Sequence, residues 1–400
     1  MGESREGKNG TRSSFYVAAA IVAGCVAIVV QSSSYPMPQA FTAGTFVERL
    51  DARLDFYWQT FQHICGFRDH YDVASLQKKY IKLIPNATNT SLKHEPKLKK
   101  IPELNASSDP EWRKKFDEYF RSTFNPATPI VVRKLSHTDT KNFPGVKEWD
   151  VDFLIKNVFG KKEIPVFTDC MQDKSVVFQP FDKFVEDLKD KSKVRYARCV
   201  SDHDNKLQAG VNTKYIMDMM GKKVEHKVST AIEGSDTHCV FVGSTHVNSR
   251  VHSDFGASVF FEVQGRKRWV FFPPSESMLL YPYAHRYNVA YNADLDMWNP
   301  DFEKFYLHGA LSGYEVILNP GDVLFFPSFW WHGVKNLDDI TVGIDVAVVD
   351  VVGSWMRNSM LVAGSLLNGN TLREVATSFF VKTEGTIKDV FFDGYRIDKD

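Results

Sequence analysis

The C-terminal half of the chain is a succession of short β-rich runs, and this pattern restricts the possible folds more than any other feature. The runs dominate after His226 and are separated by turns such as Gln264-Gly265-Arg266 and Asn319-Pro320-Gly321-Asp322. Many short strands with Gly and Pro turns are typical of a β-sandwich or β-barrel, so we predict an all-β core. Strands are predicted at 130–132, 164–167, 227–232, 238–243, 258–264, 267–272, 314–318, 322–326 and 340–348.

Helical patterns flank this core. Residues 45–84 carry large apolar side chains at helical spacing, and shorter helices are predicted at 149–158 and 181–188. The polar, lysine-rich stretch 85–110 is predicted to be an exposed loop with a solvated face. Helical character returns at 353–381. The fold prediction is therefore an all-β core with flanking helices.

The chain divides into five predicted parts. They are a cytosolic tail at 1–14, a transmembrane signal anchor at 15–30, a linker and helical lumenal region at 31–127, the β-rich domain at 128–352 and a C-terminal helical region at 353–400.

The anchor prediction rests on an apolar run at 15–30. Arg5, Lys8 and Arg12 precede the run, and the next cationic residue is Arg49, so the positive-inside rule places the N-terminus in the cytosol. The run is slightly short for a span of about 20 residues and slightly long for the apolar part of a signal peptide. We predict a single-pass type II membrane protein with an uncleaved signal anchor, facing the lumen of the endoplasmic reticulum or secretory pathway. A cleaved signal peptide is the alternative.

Sequons and cysteines agree with a lumenal location. Glycosylation sequons begin at Asn86, Asn89 and Asn105. Of 5 Cys, one lies in the apolar run, which leaves an even number for disulfides in an oxidising compartment. The others are Cys65, Cys170, Cys199 and Cys239. The sequence does not choose among their possible pairings.

The chain carries no net charge, because 49 Lys and Arg residues balance 49 Asp and Glu residues. This balance provides no bulk electrostatic attraction to nucleic acid or to an anionic membrane surface. We therefore predict that nucleic acid is not a partner.

The triplet His-x-Asp, which offers two metal-ligating side chains, occurs three times. The copies are His70-Tyr-Asp72, His137-Thr-Asp139 and His252-Ser-Asp254. The first copy lies in a helical stretch, and the second in a polar loop where an Asp is better explained as a turn or cap residue. The third copy lies at a strand end, where residues i and i+2 point to the same face and can share a metal.

A third ligand has to come from a distant strand. The candidates are His285, His308 and His332. His332 is preferred because it follows a Pro-Gly-Asp turn, an apolar run and two tryptophans that would enclose a site. Two His and one carboxylate on one face of a metal form the ligand set of non-haem Fe(II) oxygenases.

Lys267 begins a strand that returns toward this site after the turn at Gly265-Arg266. A hairpin of the segments on either side of the turn would carry its ammonium group toward the metal, where it would pair with the distal carboxylate of a bound diacid. The alternative is a surface lysine in the basic triplet Arg266-Lys267-Arg268.

Several blocks together resemble the JmjC/cupin-like 2-oxoglutarate oxygenases, most of all the branch that contains the asparaginyl hydroxylase of hypoxia-inducible factor. The resemblance is strong at 239–348 and loose at 128–238. Its blocks are His252-x-Asp254, Gly265-x-Lys267-Arg268, Phe272-Pro273-Pro274, Tyr281-Pro282-Tyr283, Asn299-Pro300-Asp301, Gly313-Tyr314-Glu315 and the stretch from Pro320-Gly321-Asp322 to Trp330-Trp331-His332.

The resemblance implies a JmjC/cupin-like oxygenase domain at 128–352 with a double-stranded β-helix, the cupin form of the jelly roll. It implies His252, Asp254 and His332 as iron ligands. It also implies Lys267 as the partner of the C5 carboxylate of 2-oxoglutarate.

Three further positions bear on the cosubstrate. Ser249 stands three positions before the first ligand, where family members often place a hydroxyl residue near the same carboxylate. Ser258 and Asp345 stand where Asn is often found in the family. These two departures affect the expected contacts of the cosubstrate and leave the metal ligands untouched.

The implied activity is that of an Fe(II)- and 2-oxoglutarate-dependent dioxygenase. Such an enzyme uses O2, decarboxylates 2-oxoglutarate to succinate and hydroxylates a C–H bond, here on a protein or peptide side chain. The alternative is a non-catalytic, membrane-anchored cupin-fold binding protein. The helices at 353–381 are expected either to form a homodimer or to cover the core.

Overall fold

The computed structural model describes residues 37–64, 70–120, 128–168, 176–201, 206–221, 238–254, 256–284 and 291–349, together with Asn358 and Leu361. It confirms a β-sheet core with flanking helices. The predicted strand at 227–232 and the predicted helices at 353–381, apart from those two residues, lie outside the described residues.

The three longest helices of the described residues end by Phe120, ahead of most of the strands in the sequence. The helices are α1 (Phe46–Ile64), α2 (Val73–Tyr80), α3 (Trp112–Phe120), α4 (Leu135–Thr138), α5 (Val151–Phe153), α6 (Phe181–Asp187), α7 (Thr213–Met219) and α8 (Ser277–Leu280). A wider helical turn, Leu154–Val158, continues α5. Short 3-10 segments occupy Ile81–Leu83, Val146–Glu148, Gln208–Gly210, Pro274–Glu276 and His308–Ala310.

The predicted strands at 238–243, 267–272 and 314–318 match their observed bounds. The strands are β1 (Lys99–Lys100), β2 (Glu103–Asn105), β3 (Ile130–Arg133), β4 (Glu163–Phe167), β5 (Val176–Pro180), β6 (Tyr196–Ser201), β7 (His238–Gly243), β8 (His252–Ser253), β9 (Gly256–Gln264), β10 (Lys267–Phe272), β11 (Pro282–Ala284), β12 (Tyr291–Ala293), β13 (Tyr314–Leu318), β14 (Val323–Phe326), β15 (Trp331–Asn336) and β16 (Thr341–Val349). The predicted strands do not include β1, β2, β5, β6, β11, β12 and β15. Of these, β1, β2, β11 and β12 have two or three residues and are too short for a periodic pattern.

The strands that the structure describes form two sheets. One has seven strands in the order β1-β13-β10-β15-β8-β12-β11, and the other has nine in the order β2-β3-β14-β9-β16-β7-β6-β4-β5. β9 and β10 therefore lie in different sheets, and the predicted hairpin pairing between them is wrong. The turn between them crosses from sheet to sheet through Gly265, whose φ of 70° and closeness to the Ile340 carbonyl exclude a side chain.

Alternate residues of the central strands point into a layer between the sheets, which we call the interior layer. It is built from apolar side chains of both sheets, including Phe260, Trp269, Phe271, Leu324 and Phe326. A second apolar cluster covers the outer face of the nine-stranded sheet. It contains Trp149 and the strand residues that alternate with those of the interior layer, such as Phe261 and Phe325. This alternation decides which side chains of each strand can reach a site between the sheets.

The N-terminal helices cover the outer face of the seven-stranded sheet. Phe56 of α1 and Leu76 of α2 pack in one buried cluster with residues of that sheet. The predicted helical region 45–84 is two helices, because Asp72 caps a new helix by accepting a hydrogen bond from the backbone N–H of Ser75. The Tyr71 hydroxyl donates to the Pro282 carbonyl at 2.6 Å and ties this layer to β11.

The segment 85–110 is more ordered than the predicted loop. Its β1 pairs with β13 and its β2 pairs with β3, both in parallel, so it extends both sheets. Its lysines lie at the surface, where Lys93 and Lys100 form ion pairs with Glu303 and Glu315.

No helix in the described part of the chain is long and apolar enough to cross a membrane. A span needs about 20 predominantly apolar residues, whereas α1, with 19 residues, carries Glu48, Arg49 and Asp51 in its first turns. This finding corrects the prediction of a single-pass type II membrane protein facing the secretory lumen. The apolar run at 15–30, on which that prediction rests, lies outside the described residues.

Cys239 in β7 is disulfide-bonded. The side chains of the other cysteines lie outside the described part of the chain, so the pairing stays open. A disulfide is compatible with the even number of cysteines beyond the apolar run.

Glu276 is a buried carboxyl group that joins the N-terminal segment to the seven-stranded sheet. It accepts hydrogen bonds from the backbone N–H groups of Gln39 at 3.0 Å and Ser312 at 3.3 Å. Burial raises the pKa of Glu276 to about 7, although these two N–H groups lower it in part.

We expect the free energy of unfolding to decrease as the pH rises from the ordinary pKa of 4.5 to about 7. Folding favours the protonated form of Glu276, so this stabilisation is complete below the unfolded pKa and is lost through the folded pKa. Glu276→Gln should remove a contribution of about 3 kcal/mol at most. Urea unfolding of both proteins on either side of this range measures the slope, and equal slopes would contradict the assignment.

Candidate metal centre

His252, Asp254 and His332 meet at one end of the interior layer. His332, the second residue of β15, is the antiparallel partner of His252 in β8, and their ring centroids are 4.2 Å apart. Asp254 Oδ2 lies 3.6 Å from Nε2 of each histidine. One ligand atom from each residue lies within 4.8 Å of the others. The arrangement places two imidazoles and one carboxylate around a common point.

Both imidazoles are oriented by the backbone. Nδ1 of His252 lies 2.8 Å from the Arg250 carbonyl, and Nδ1 of His332 lies 3.0 Å from the Trp330 carbonyl. Because a carbonyl only accepts, each Nδ1 carries the proton and each Nε2 keeps its lone pair toward Asp254. Burial, followed by nearby His252, lowers the pKa of His332 to about 4, so its ring is neutral as metal binding requires.

Aromatic side chains of the interior layer surround His332. Trp269 stacks on its ring at a centroid distance of 5.9 Å, and Phe326 lies at 4.8 Å. The other two residues of the group are more exposed, because the side chain of Asp254 is 43% exposed and that of His252 is 22% exposed. A substrate can therefore approach from the side of Asp254.

The donor set fits a divalent transition metal. Imidazole and carboxylate ligands suit iron, and two His with one carboxylate leave coordination positions for a cosubstrate and O2. Among the residues that the structure describes, no other group of at least three His, Cys, Asp or Glu side chains has this geometry.

The other His-x-Asp triplets have structural roles. Asp72 caps α2, and Asp139 accepts hydrogen bonds from the backbone and side chain of Asn142. His137 packs over Gly321, and burial lowers its pKa.

Of the two alternative third ligands, the structure describes only His308, which does not join the centre. His308 is buried, with Nε2 at 3.3 Å from the Met297 sulfur, and its pKa is lowered to about 4 by burial. His285 lies outside the described residues.

Lys267 lies deep in the interior layer and is only 2% exposed. Its ammonium group donates to Asn336 Oδ1 at 2.8 Å and to Thr341 Oγ1 at 2.6 Å. Burial lowers the pKa of Lys267. The surface-lysine alternative is therefore wrong. Sequence reasoning missed both partners, because they come from strands that only the sheet register brings alongside.

The register also relates Lys267 to the metal site. β10 and β15 are antiparallel. Lys267 of β10 pairs with Asn336 of β15, and Phe271, four residues later on β10, pairs with His332. Four strand residues span about 13 Å, and a lysine side chain and a short diacid together can bridge this distance. The arrangement thus offers a carboxylate partner at one end and metal ligands at the other.

Ser249 lies beside β15. Its hydroxyl accepts the backbone N–H of Val334 at 3.0 Å, and its carbonyl accepts the indole N–H of Trp298 at 2.7 Å. The structure therefore gives Ser249 a local backbone role, and its role toward the cosubstrate stays a prediction.

Ser258 and Asp345, the two departures from the family pattern, form a pair. The Ser258 hydroxyl donates to Asp345 Oδ2 at 3.2 Å across β9 and β16. Burial, and then the charge of Asp254, raises the pKa of Asp345 to about 8. The side of the metal site that faces β16 is therefore lined by a hydroxyl and a carboxyl group.

The facing sheets and the His-x-Asp…His cluster between them fit a cupin-like domain with a candidate metal site, and the sequence comparison agrees on the domain. The model of the cupin-like domain family matches residues 106–346, and the chain belongs to this family.

The curated relatives lie in the JmjC/cupin oxygenase superfamily. HSPB1-associated protein 1 homolog of Danio rerio is 36% identical over 32% of this chain and 27% of its own length. tRNA wybutosine-synthesizing protein 5 of Gallus gallus is 26% identical over 58% of this chain and 73% of its own length. Lysine-specific demethylase JMJ31 of Arabidopsis thaliana is 27% identical over 35% of this chain and 25% of its own length.

The match spans only 22% to 27% of the length of the first of these relatives, the HSPB1-associated proteins. The comparisons support the superfamily and an oxygenase-type enzyme. They do not show the branch of the hypoxia-inducible factor asparaginyl hydroxylase.

Proposed function

We propose that the chain is an Fe(II)- and 2-oxoglutarate-dependent oxygenase that hydroxylates a C–H bond. The observation that carries this proposal is the meeting of His252, Asp254 and His332 at one end of a layer whose interior also holds the buried Lys267. The order of the sheets is compatible with the double-stranded β-helix that the family resemblance implies.

Each residue has one task in this proposal. His252, Asp254 and His332 would hold Fe(II), which when bound supplies activation of O2 and coordination of the cosubstrate. Lys267 orients 2-oxoglutarate by pairing with its C5 carboxylate. Trp269 and Phe326 exclude water from the reaction. The net reaction converts 2-oxoglutarate, O2 and a substrate C–H bond into succinate, CO2 and C–OH.

The proposed substrate is a protein or peptide side chain. Asp254 is the most exposed of the three residues, and a side chain of a second molecule can approach the site there. The relatives named HSPB1-associated protein are described by an interaction with another protein, which supports a protein partner here. The name of the wybutosine-synthesizing relative makes tRNA the alternative substrate that an experiment has to include.

The direct test uses the full chain with Fe(II), O2 and 2-oxoglutarate. Succinate formation is measured without substrate, with a peptide library and with tRNA, and mass spectrometry locates an added oxygen atom. We expect peptides, and not tRNA, to stimulate succinate formation and to gain oxygen. Oxygen incorporation into tRNA alone would overturn the substrate class. A protein that binds neither Fe(II) nor 2-oxoglutarate would favour the non-catalytic binding protein.

A further inference from the structure

Glu262, in β9, is a fully buried carboxyl group whose two oxygens have no hydrogen-bond partner. An unpartnered buried carboxyl group costs free energy, so its presence in the fold requires an explanation. Phe260, two residues earlier on the same strand, points into the interior layer. Because strand residues i and i+2 share a face, Glu262 also points between the sheets.

Glu262 lies next to the Lys267 side chain. Its partner on β16 is Gly343, where a bulge begins. A Cβ atom on Gly343 would lie 3.1 Å from Cε of Lys267 and 2.2 Å from the Phe260 ring. The Lys267 side chain therefore passes the residue directly opposite Glu262. Gly343 is required here because a side chain would occupy this space.

Lys267 alone does not satisfy both oxygens of a ligand carboxylate. An ammonium group has three N–H donors, and Asn336 and Thr341 accept two of them. One donor is left for a ligand carboxylate, which has two oxygens and about four lone-pair sites. A second donor beside Lys267 would satisfy the other oxygen.

Several charged groups act on Glu262. Burial raises its pKa well above the ordinary value, Lys267 lowers it, and Asp322 and Asp338 raise it. Asp322 is ion-paired with Arg133, and Asp338 with a surface arginine. A carboxyl group held neutral in this position carries an O–H donor.

We propose that Glu262 is a second binding residue for the distal carboxylate of 2-oxoglutarate, to which it donates a hydrogen bond as a neutral acid. This inference rests on the proposed function and adds a residue that selects the cosubstrate by the chemistry of its tail. An acid and an ammonium group together favour a ligand whose tail is an anion with two acceptor oxygens. They disfavour a tail that offers only one acceptor.

The test compares 2-oxoglutarate binding by the full chain loaded with Fe(II) under anaerobic conditions, where turnover is absent. Glu262→Gln keeps the shape and an N–H donor, whereas Glu262→Leu keeps the volume and removes the donor. We expect calorimetric dissociation constants within about threefold of wild type for Gln, and weaker by about tenfold or more for Leu. Glu303→Gln, at a side chain that is 85% exposed, is the matched control.

Infrared difference spectroscopy reads the protonation state directly. The complex of the wild-type protein should show a protonated carboxyl band that Glu262→Gln lacks. Equal affinity of wild type and Glu262→Leu, or equal losses in both variants, would overturn the role of Glu262, as would a carboxylate band at this position. A wild-type protein that does not bind 2-oxoglutarate at all would instead refute the proposed function, and the inference with it. Melting temperatures show whether each variant is folded.

Discussion

Replacing His252 by alanine is expected to abolish stoichiometric Fe(II) binding and to reduce succinate formation by about 1,000-fold or more, because a bound metal contributes several kcal/mol to the barrier. The variant would leave only Asp254 and His332, and the carboxylate of Asp254 is 43% exposed to competing water. Metal content after anaerobic loading and dialysis, together with succinate formation, measures the two effects. The fold should persist, because the His252 side chain is partly exposed.

His70→Ala is the matched control, since it removes an exposed histidine from another His-x-Asp triplet. We expect wild-type iron content and turnover for this variant. If His252→Ala and His70→Ala behave alike, the assignment of the metal centre is wrong. A loss in both variants together with lower melting temperatures would point to a folding effect instead.

Replacing Lys267 by methionine is expected to weaken 2-oxoglutarate binding by about 100-fold or more while iron binding is retained. The substitution would leave the distal carboxylate of the cosubstrate in the interior layer without its cation, and such a loss costs 2–5 kcal/mol or more. The KM for 2-oxoglutarate and the calorimetric dissociation constant should change together. The melting temperature should not fall, because methionine removes a buried charge and keeps the volume.

Lys335→Met is the matched control for this variant. Lys335 precedes Asn336 on β15, so its side chain points to the opposite face of the strand and is partly exposed. We expect unchanged cosubstrate affinity for Lys335→Met. Wild-type affinity in Lys267→Met would instead require a different partner for the cosubstrate.

The two predictions differ in how far the sequence supports them. The His-x-Asp triplet occurs three times, and local spacing alone cannot separate a metal ligand from a helix cap such as Asp72. Strand geometry and the family resemblance favour His252 and Asp254. The choice of His332 over His308 becomes visible only in the register that pairs His332 with His252.

The sequence predicts that Lys267 points toward the metal site, but the hairpin on which this prediction rests does not form. The segments around Gly265 look like a hairpin in the sequence, yet β9 and β10 pair with other strands in two separate sheets. Lys267 is directed into the interior by this crossing, and Asn336 and Thr341 become its partners. A periodic pattern shows that two strands exist but does not show which strands they pair with.

The membrane prediction failed for a related reason, because it relied on one apolar run and its flanking charges. That run lies outside the described residues, and no helix in the described part of the chain is long and apolar enough to cross a membrane. Sequence patterns of this kind identify apolar surface and leave open what covers it.

The sequence by itself determined the β-rich core with flanking helices, the residue types of a metal centre and the superfamily, because short-range periodicity and motif spacing are local properties. The tertiary structure decided which of the candidate histidines meets His252 and Asp254, how Lys267 reaches the interior and why Glu262 lies beside it. These outcomes depend on strand order and register between residues about 70 to 80 positions apart, such as Lys267 and Asn336 or His252 and His332. Cross-strand contacts of this range leave no periodic trace in the chain.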